Sequence, residues 1–431
     1  MSEPGPPPPR SLAHRVVRMT GRDPDEPHRV ATPLELLFDL TFVVAFGVAA
    51  EQFAHLLAEG HLASGLIGFS FAMFGVCWAW VNFSWFASAY DTEDWPFRVA
   101  TMVQMVGVLI FSLGLPDLFR SLDEGHHVDN TIMVAGYVVM RVAMVFQWSR
   151  AATQDPARRS ACVTYMTTIL VAQVGWVLLL LVETSILTYF LLIVPLILIE
   201  LSGPWIAETR KGGTPWHAHH IAERYSLLAI IALGEGVTGT VASLSAVVER
   251  QGWSLDAALV GVAGTGLTFG MWWTYFLLPS APILVAHRER AFRWGYAHIL
   301  IFAAIAATGA GLQVAASFIE DQARIGGVAT VLSVAIPVGL FVLVVYALHT
   351  YLVGEGDPFH LSLLVGTAVV LAAAVWMATA GVPMTWCLLV VTLAPAVTVV
   401  GYEAIGYRHL AAILNRTLPS DQGRKRTYGQ P

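Results

Sequence analysis

Residues 327–351 read GVATVLSVAIPVGLFVLVVYALHTY, twenty-five residues without one Asp, Glu, Lys or Arg. As an α-helix rising about 1.5 Å per residue, the run is about 37 Å long, enough to cross a hydrocarbon layer of about 30 Å. A stretch of this length and polarity is a membrane-spanning helix.

Runs of the same kind recur along the 431 residues, of which 56% are apolar and only 13% charged. Separated by charged or Pro- and Gly-containing loops, they fall near residues 36–57, 63–87, 98–119, 131–149, 161–182, 186–206, 221–247, 256–278, 293–318, 327–351, 360–380 and 383–404. The chain therefore reads as an all-α polytopic membrane protein of about twelve transmembrane helices. A formal charge of −6 and the lack of a large basic domain argue against nucleic-acid binding as the main task, and no nucleic-acid partner is expected. Cys77, Cys162 and Cys387 all lie inside apolar runs, so no disulfide framework is indicated. Residues 1–32 carry Pro6 to Pro9 and five arginines, Arg10, Arg15, Arg18, Arg22 and Arg29. With too little apolar content to pack, they read as a disordered cytoplasmic arm and not as a secretory signal.

An even number of spans puts both termini on one side, and Lys and Arg gather on the cytoplasmic side of a membrane protein. With both termini inside, Arg120, Arg250 and Arg324 fall in outer loops and Arg141 falls within a span. The other twenty of the 24 basic residues lie on the inner side or at inner helix ends. Both termini are expected in the cytoplasm.

Five matches recur in order along the chain: Glu35 with Glu223, Trp78 with Trp272, Phe97 and Arg98 with Phe292 and Arg293, Asp155 and Pro156 with Asp357 and Pro358, and Glu200 and Gly203 with Glu403 and Gly406. Their offsets rise from 188 to 203. Drifting offsets in preserved order point to two parallel six-helix repeats. These are residues 33–206 and residues 221–408, joined by a cytoplasmic linker at residues 207–220 and followed by a cytoplasmic tail at residues 409–431.

An ionisable group inside a span costs about 2.5 to 3.5 kcal/mol on insertion scales, so it usually faces the protein interior with a partner. Glu35 and Asp39 lie four residues apart on one face of the first span. Either they bind a cation or relay protons, or they cap the helix and pair with inner-side arginines such as Arg98, Arg224 or Arg293. The seventh span opens with His217, His219, His220, Glu223 and Arg224. That spacing would suit a metal, but no second pair of ligands accompanies it, and no metal site is assigned. Glu235, in the run LGEG, lies about 14 residues up the seventh span, or about 20 Å. Glu51 lies at a similar depth in the first span, and Arg141 near the middle of the fourth. The expectation is a buried network joining Arg141 to Glu235 or Glu51, with a candidate ion or proton path along Asp39, Glu51, Arg141 and Glu235. Asn82, Gln104, Gln147, Gln173, His298, Gln313 and His349 are expected to bond neighbouring helices.

Lys211 and Lys425 both lie outside the spans, which excludes a Schiff base within the bundle. No phosphate-binding glycine loop and no HExxH is present, no cofactor is expected, and nothing marks a catalytic constellation or an enzyme.

Two motifs, ELLFDLTFVVAF (Glu35 to Phe46) and HIAERYSLLAIIALGE (His220 to Glu235), resemble those of the bacterial low temperature requirement A family, LtrA. The likeness spans about residues 31 to 408. Its acidic-aromatic-Asp opening is matched by Glu35, Phe38 and Asp39, and its H-x-x-E-R…L-G-E pattern by His220, Glu223, Arg224, Gly234 and Glu235. Leu37 stands where an aromatic residue is common in that family. The resemblance implies a multi-pass protein of the bacterial cell (inner) membrane linked by name to growth in the cold, and it supplies no activity or substrate. There is a fainter similarity to potassium channels built from two six-helix repeats whose first helix carries Phe-Ser-Asp; here Phe38 and Asp39 are adjacent without the serine.

With the lipid bilayer as surroundings and a small ion or solute as partner, the first expectation is a secondary transporter or ion-permeation protein. The alternative is a non-transport membrane scaffold or sensor supporting growth at low temperature. An integral membrane enzyme acting on a lipid ranks third. The sequence assigns no substrate and no oligomeric state.

Overall fold

The computed structural model describes residues 16–26 and 29–406. Among them the chain is helical with no strand, and twelve segments are long and apolar enough to cross a membrane. They are span 1 (Pro33–Glu59), span 2 (Leu62–Tyr90), span 3 (Trp95–Glu124), span 4 (Thr131–Gln154), span 5 (Pro156–Leu179) and span 6 (Ile186–Arg210). Then follow span 7 (Ala218–Gln251), span 8 (Leu255–Ala286), span 9 (Arg288–Ile319), span 10 (Gly327–Val353), span 11 (Pro358–Thr379) and span 12 (Met384–Gly406). The end of the bundle from which span 1 starts is called the near end. The odd-numbered spans start there, and spans 1, 7 and 9 finish at the far end.

Local chemistry sets the span ends. At the start of span 1 the Glu35 N–H donates to Thr32 Oγ1 (3.2 Å) and the Thr32 N–H donates to Glu35 Oε2 (2.8 Å), with Pro33 in the first turn. This reciprocal cap satisfies two of the helix's free N–H groups. Gly60 closes the same helix in left-handed backbone, φ 88°. Spans 3 and 8 run further than their apolar stretches suggest. After breaks at Gly114 and Pro279 they continue as the short helices Leu115–Glu124 and Ser280–Ala286, whose charged or Pro-flanked sequences hide them from a hydropathy reading.

In the first half span 1 packs on span 2, span 3 on span 4, span 4 on span 5 and span 5 on span 6. In the second half span 7 packs on span 8, span 9 on span 10, span 10 on span 11 and span 11 on span 12. The halves meet where spans 1 and 2 lie against spans 7 and 9. Span 9 is the centre, with 78% of its apolar window buried, against 22% for span 6 and 17% for span 11. Those outer spans expose Leu187, Leu191, Val194 and Leu198, and Leu361, Val365, Val369 and Trp376, the side chains a bilayer covers. Two close approaches need glycine. A Cβ on Gly136 of span 4 would lie 2.3 Å from the Phe111 backbone nitrogen of span 3, and one on Gly309 of span 9 would lie 2.6 Å from the Glu235 carbonyl oxygen of span 7. The lone Gly266/Gly270 pair also packs between helices, with Gly270 against Pro395.

The arm expected to be disordered is docked over its described stretch. The N–H of Val17 donates to Asp94 Oδ2 (3.0 Å), that of Met19 to Gln154 Oε1 (2.6 Å), that of Gly21 to Asp155 Oδ2 (3.3 Å) and that of Arg22 to the Ala89 carbonyl (3.0 Å). Arg150 binds both Asp94 and the Val17 carbonyl. Low apolar content limits burial but not hydrogen bonding: this strap is held by carboxylates, an amide and a carbonyl at the near ends of spans 2 to 4, and the packed chain begins well before residue 33. Residues 1–15 and the tail from residue 407 lie outside the described residues.

Candidate functional site

The near end is sealed by a cluster joining the two halves. Arg224 of span 7 donates through Nη1 to Glu35 Oε1 (2.9 Å), through Nε to Asp39 Oδ2 (3.3 Å) and through Nη2 to Asp39 Oδ1. His220 Nε2 stands 3.2 Å from Glu35 Oε2, and the Trp80 indole N–H donates to Asp39 Oδ1 (2.7 Å). Glu35, Asp39, His220 and Arg224 have no exposed surface. The four-residue spacing that puts both acids on one face of span 1 lets one planar guanidinium bridge them. Glu35 therefore both caps its helix and pairs with a cation. Phe38, the aromatic residue of the same motif, is buried with its ring 3.9 Å from that of Phe83, while Leu37 points outward at 52% exposure. Glu223 accepts the Ala31 N–H (3.2 Å).

The histidines beside this cluster are engaged in backbone contacts. His217 Nδ1 accepts the His220 N–H (3.1 Å) and its Nε2 lies 2.9 Å from the Glu26 carbonyl. Burial lowers the affinity of His217 for a proton. Among the described residues no three His, Cys, Asp or Glu side chains are placed to hold a metal ion. Just after span 2, burial pushes the Asp91 carboxyl up to about 7, and the charge of Glu35 adds to it against the Glu93 N–H and Arg29. Arg29 is itself lowered to about 10 by burial and by Arg22.

Arg141 does not meet Glu235 or Glu51. Its Nη2 donates to Glu200 Oε2 of span 6 (2.8 Å) and to the Tyr137 hydroxyl, which in turn donates to Glu200 Oε1 (2.9 Å). The Trp78 indole N–H also donates to Glu200 Oε2 (2.6 Å). Span 4 packs on spans 3 and 5, on the outer side of the first half, so Arg141 has the expected depth but the wrong side of the bundle to reach span 7. The sequence reading did not single out Glu200 as a buried charge. Its place as the one acid within the apolar run at residues 186–206 was the available signal.

Glu235 has a different setting. Span 7 is two helices, Ala218–Ala232 and Gly234–Gln251, interrupted at Leu233, and Glu235 lies in the first turn of the second. It stands near the middle of a 34-residue span, just after a kink at which Leu233 keeps right-handed helical backbone (φ −61°, ψ −15°). The residue is 6% exposed, and its carboxylate, which opens on a groove toward the far end, has no hydrogen-bond or ion-pair partner among the described residues. It fits against Gly47 of span 1, where an added Cβ would lie 3.1 Å from Glu235 Oε1. In the 188-residue offset that matches Glu35 to Glu223, Gly47 is the counterpart of Glu235.

Above Glu235, toward the far end, a groove of about 620 Å³ runs between spans 1, 7 and 9. Span 1 lines it with Gly47, Val48 and Glu51, and span 7 with Glu235, Thr238, Ala242 and Ser245. Span 9 adds Gln313, Ala316, Ser317 and Glu320. Each helix presents one stripe at three- or four-residue steps, so the groove runs along the helices. Below Glu235, toward Arg224, the rings of Phe46, Phe302, Trp80 and Tyr225 pack on one another. Of the four residues expected on one path, the structure brings Glu51 and Glu235 together in the groove, puts Asp39 in the near-end cluster and removes Arg141 to a separate pair. Among the other polar positions, Gln104 bonds Gln147 (3.2 Å) between spans 3 and 4, and the Tyr275 hydroxyl stands 3.1 Å from His298 Nε2 between spans 8 and 9.

A kinked helix at mid-span, an ionic cluster at one end and a polar groove toward the other define a polytopic helical membrane protein. Residues 30–395 match the bacterial low temperature requirement A proteins (LtrA), and the chain belongs to that family. It is also similar to the protein RA0937 of Rhizobium meliloti (strain 1021), with 27% identity over 252 residues. That match covers 56% of this chain and 57% of the relative, so it spans little more than half of either. No solved structure matches the chain.

Proposed function

We propose that the protein is a secondary transporter or ion-permeation protein for a cation. In this reading it lies in the bacterial inner membrane with both termini in the cytoplasm, and its two six-span halves are parallel repeats. The observation that carries the proposal is Glu235: a buried carboxylate without a partner, at a helix break in mid-membrane, on the floor of a polar groove. Lone carboxylates at that depth are costly and are characteristic of ion and proton pathways. The matching order of neighbouring spans in the two halves supports the repeat.

The arrangement corresponds to a state open at the far end. A cation reaches Glu235 along the groove and is stopped below it by the aromatic layer and the Arg224 cluster, about 16 Å further along span 7. Glu35 and Asp39 belong to the first half and Arg224 to the second, so their bonds hold the two halves together at the near end. Release on that side requires the halves to move apart there, with the bridge broken or carried along.

Protein reconstituted in liposomes under imposed H⁺, Na⁺ or K⁺ gradients tests this. Flux is expected for at least one cation and should be lost in Glu235→Gln at normal abundance and melting temperature. Absence of flux for these three and for an organic ammonium cation, or full flux in Glu235→Gln, overturns the proposal. That result would favour a non-transport scaffold or sensor, a reading supported by the complete pairing of Asp39 and Glu200, which gives both a structural role.

A further inference from the structure

The shape and charge of the groove narrow the cation. Its lining on span 7 runs from Glu235 to Ser245, ten residues or about 15 Å, so the space of about 620 Å³ is elongated. Three carboxylates lie along it at different heights. Glu235 is at the floor; Glu51 stands one helical turn, about 6 Å, beyond the Gly47 that touches Glu235; and Glu320 lies two turns beyond Gln313, about 10 Å, at the mouth. Among the described residues no Lys, Arg or His lines the groove; Arg250 stands just outside its mouth, bound to the Ile319 carbonyl and Asp321 on either side of Glu320, and between the acids come Val48, Ala242 and Ala316.

A divalent metal ion is usually held by several carboxylates converging on one point, and no group of three His, Cys, Asp or Glu side chains placed to do so is found among the described residues. Carboxylates spread along a channel with small apolar side chains between them suit instead a chain with charges at intervals. The rise of about 6 Å from the floor to Glu51 is close to the reach of about three or four methylene groups at ordinary bond lengths. The buried, unpartnered Glu235 supplies the anchor, and burial makes an ion pair there stronger than one at the rim.

We infer that the groove binds a linear aliphatic polyamine, with one ammonium group on Glu235, the next at the level of Glu51, and a third, where present, toward Glu320. The inference rests on the transport reading only in taking the groove as a ligand's route; binding itself needs no flux.

The test is calorimetric titration of the full-length protein in detergent or nanodiscs at constant ionic strength with spermidine, putrescine, tetramethylammonium, Na⁺ and K⁺. Spermidine is expected to bind more tightly than putrescine, and both more tightly than tetramethylammonium. Glu235→Gln should weaken both amines roughly 30-fold, the scale for truncating one partner of a buried charge pair. Glu320→Gln should weaken spermidine and leave putrescine unchanged. Should Glu235→Gln fail to fold, Glu51→Gln, an exposed position, serves in its place and should also weaken both amines. Spermidine binding no tighter than tetramethylammonium, amine binding indifferent to both Glu235→Gln and Glu51→Gln, or Glu235-dependent binding of Na⁺ or K⁺ instead of the amine overturns the inference. Amine binding without any flux would sink the transport reading alone. Glu235-dependent H⁺, Na⁺ or K⁺ flux without amine binding would sink this inference alone.

Discussion

Replacing Arg224 with Gln removes the one cation that faces both Glu35 and Asp39. The two carboxylates are one turn apart on span 1, about 6 Å along the axis. At an effective dielectric constant of about 20 their repulsion is about 3 kcal/mol. Removing one partner from a buried ion pair costs about 3 to 5 kcal/mol in measured cases, because the charge left behind is neither solvated nor paired. The repulsion between the acids is already there in the native protein but is uncompensated once the guanidinium is gone, so the expected loss is about 3 kcal/mol or more, over a hundredfold in a folding equilibrium constant. Lys at the same position should be nearly as damaging, since an ammonium group cannot reproduce the fork that reaches Glu35 through Nη1 and Asp39 through Nε and Nη2. The assay is the denaturation midpoint of the purified protein in detergent, read together with the amount recovered as a monodisperse peak. Arg224→Gln should fall sharply on both measures. The triple variant Glu35→Gln, Asp39→Asn, Arg224→Gln should recover most of the loss because no unpaired charge remains. A triple variant as unstable as the sum of its parts would refute the charge argument and leave only lost packing around the guanidinium.

Gly136→Ala should destabilise the bundle by about 1 to 3 kcal/mol, since its Cβ would meet the Phe111 backbone nitrogen at 2.3 Å, whereas Gly234→Ala, with nothing within 4 Å, should leave the melting temperature unchanged. Arg150→Gln should release the strap, and limited proteolysis between residues 16 and 26 should speed up about tenfold or more, equivalent to about 1.4 kcal/mol of lost docking, with the spans uncut. Asp91 binds its proton up to about pH 7 in the folded protein against an ordinary value of 3.8, so the folded state holds the extra proton. Stability should therefore be unaffected below about pH 4 and should fall as pH rises from there to about 7, by up to roughly 4 kcal/mol. Asp91→Asn should flatten that slope in a melting series from pH 5 to 8, and an unchanged slope would remove Asp91 as its cause.

Depth in the membrane is written in this sequence, and direction around each helix is only partly so. The twelve spans follow from apolar length alone, because a bilayer accepts few other solutions. The bridge to Arg224 was nearly as legible: Glu35 and Asp39 had to share a face, and Arg224 was one of three arginines at the right level. Arg141 marks where that reasoning stops. Its depth matched that of Glu235 and Glu51, but a helix at a given depth has a full circle of neighbours, and the packing of span 4 turned it to Glu200. The strap was missed for another reason. Apolar content measures how much a segment can bury, and says little of backbone N–H groups held by Asp94, Gln154 and Asp155.

Glu235 shows how the two kinds of information combine. Its sequence context, a carboxylate between two glycines in an apolar run, fixed its depth and marked it as costly. A partner would have made that cost structural, as it does for Asp39 with Arg224 and for Glu200 with Arg141. The structure instead gives Glu235 a helix start beneath it, a glycine of span 1 beside it and a groove above it. Asp39 and Glu200 are satisfied within the protein, and the third deep acid, Glu235, faces the groove that opens toward the far end. In the proposed function a bound cation supplies there what an arginine supplies to the other two.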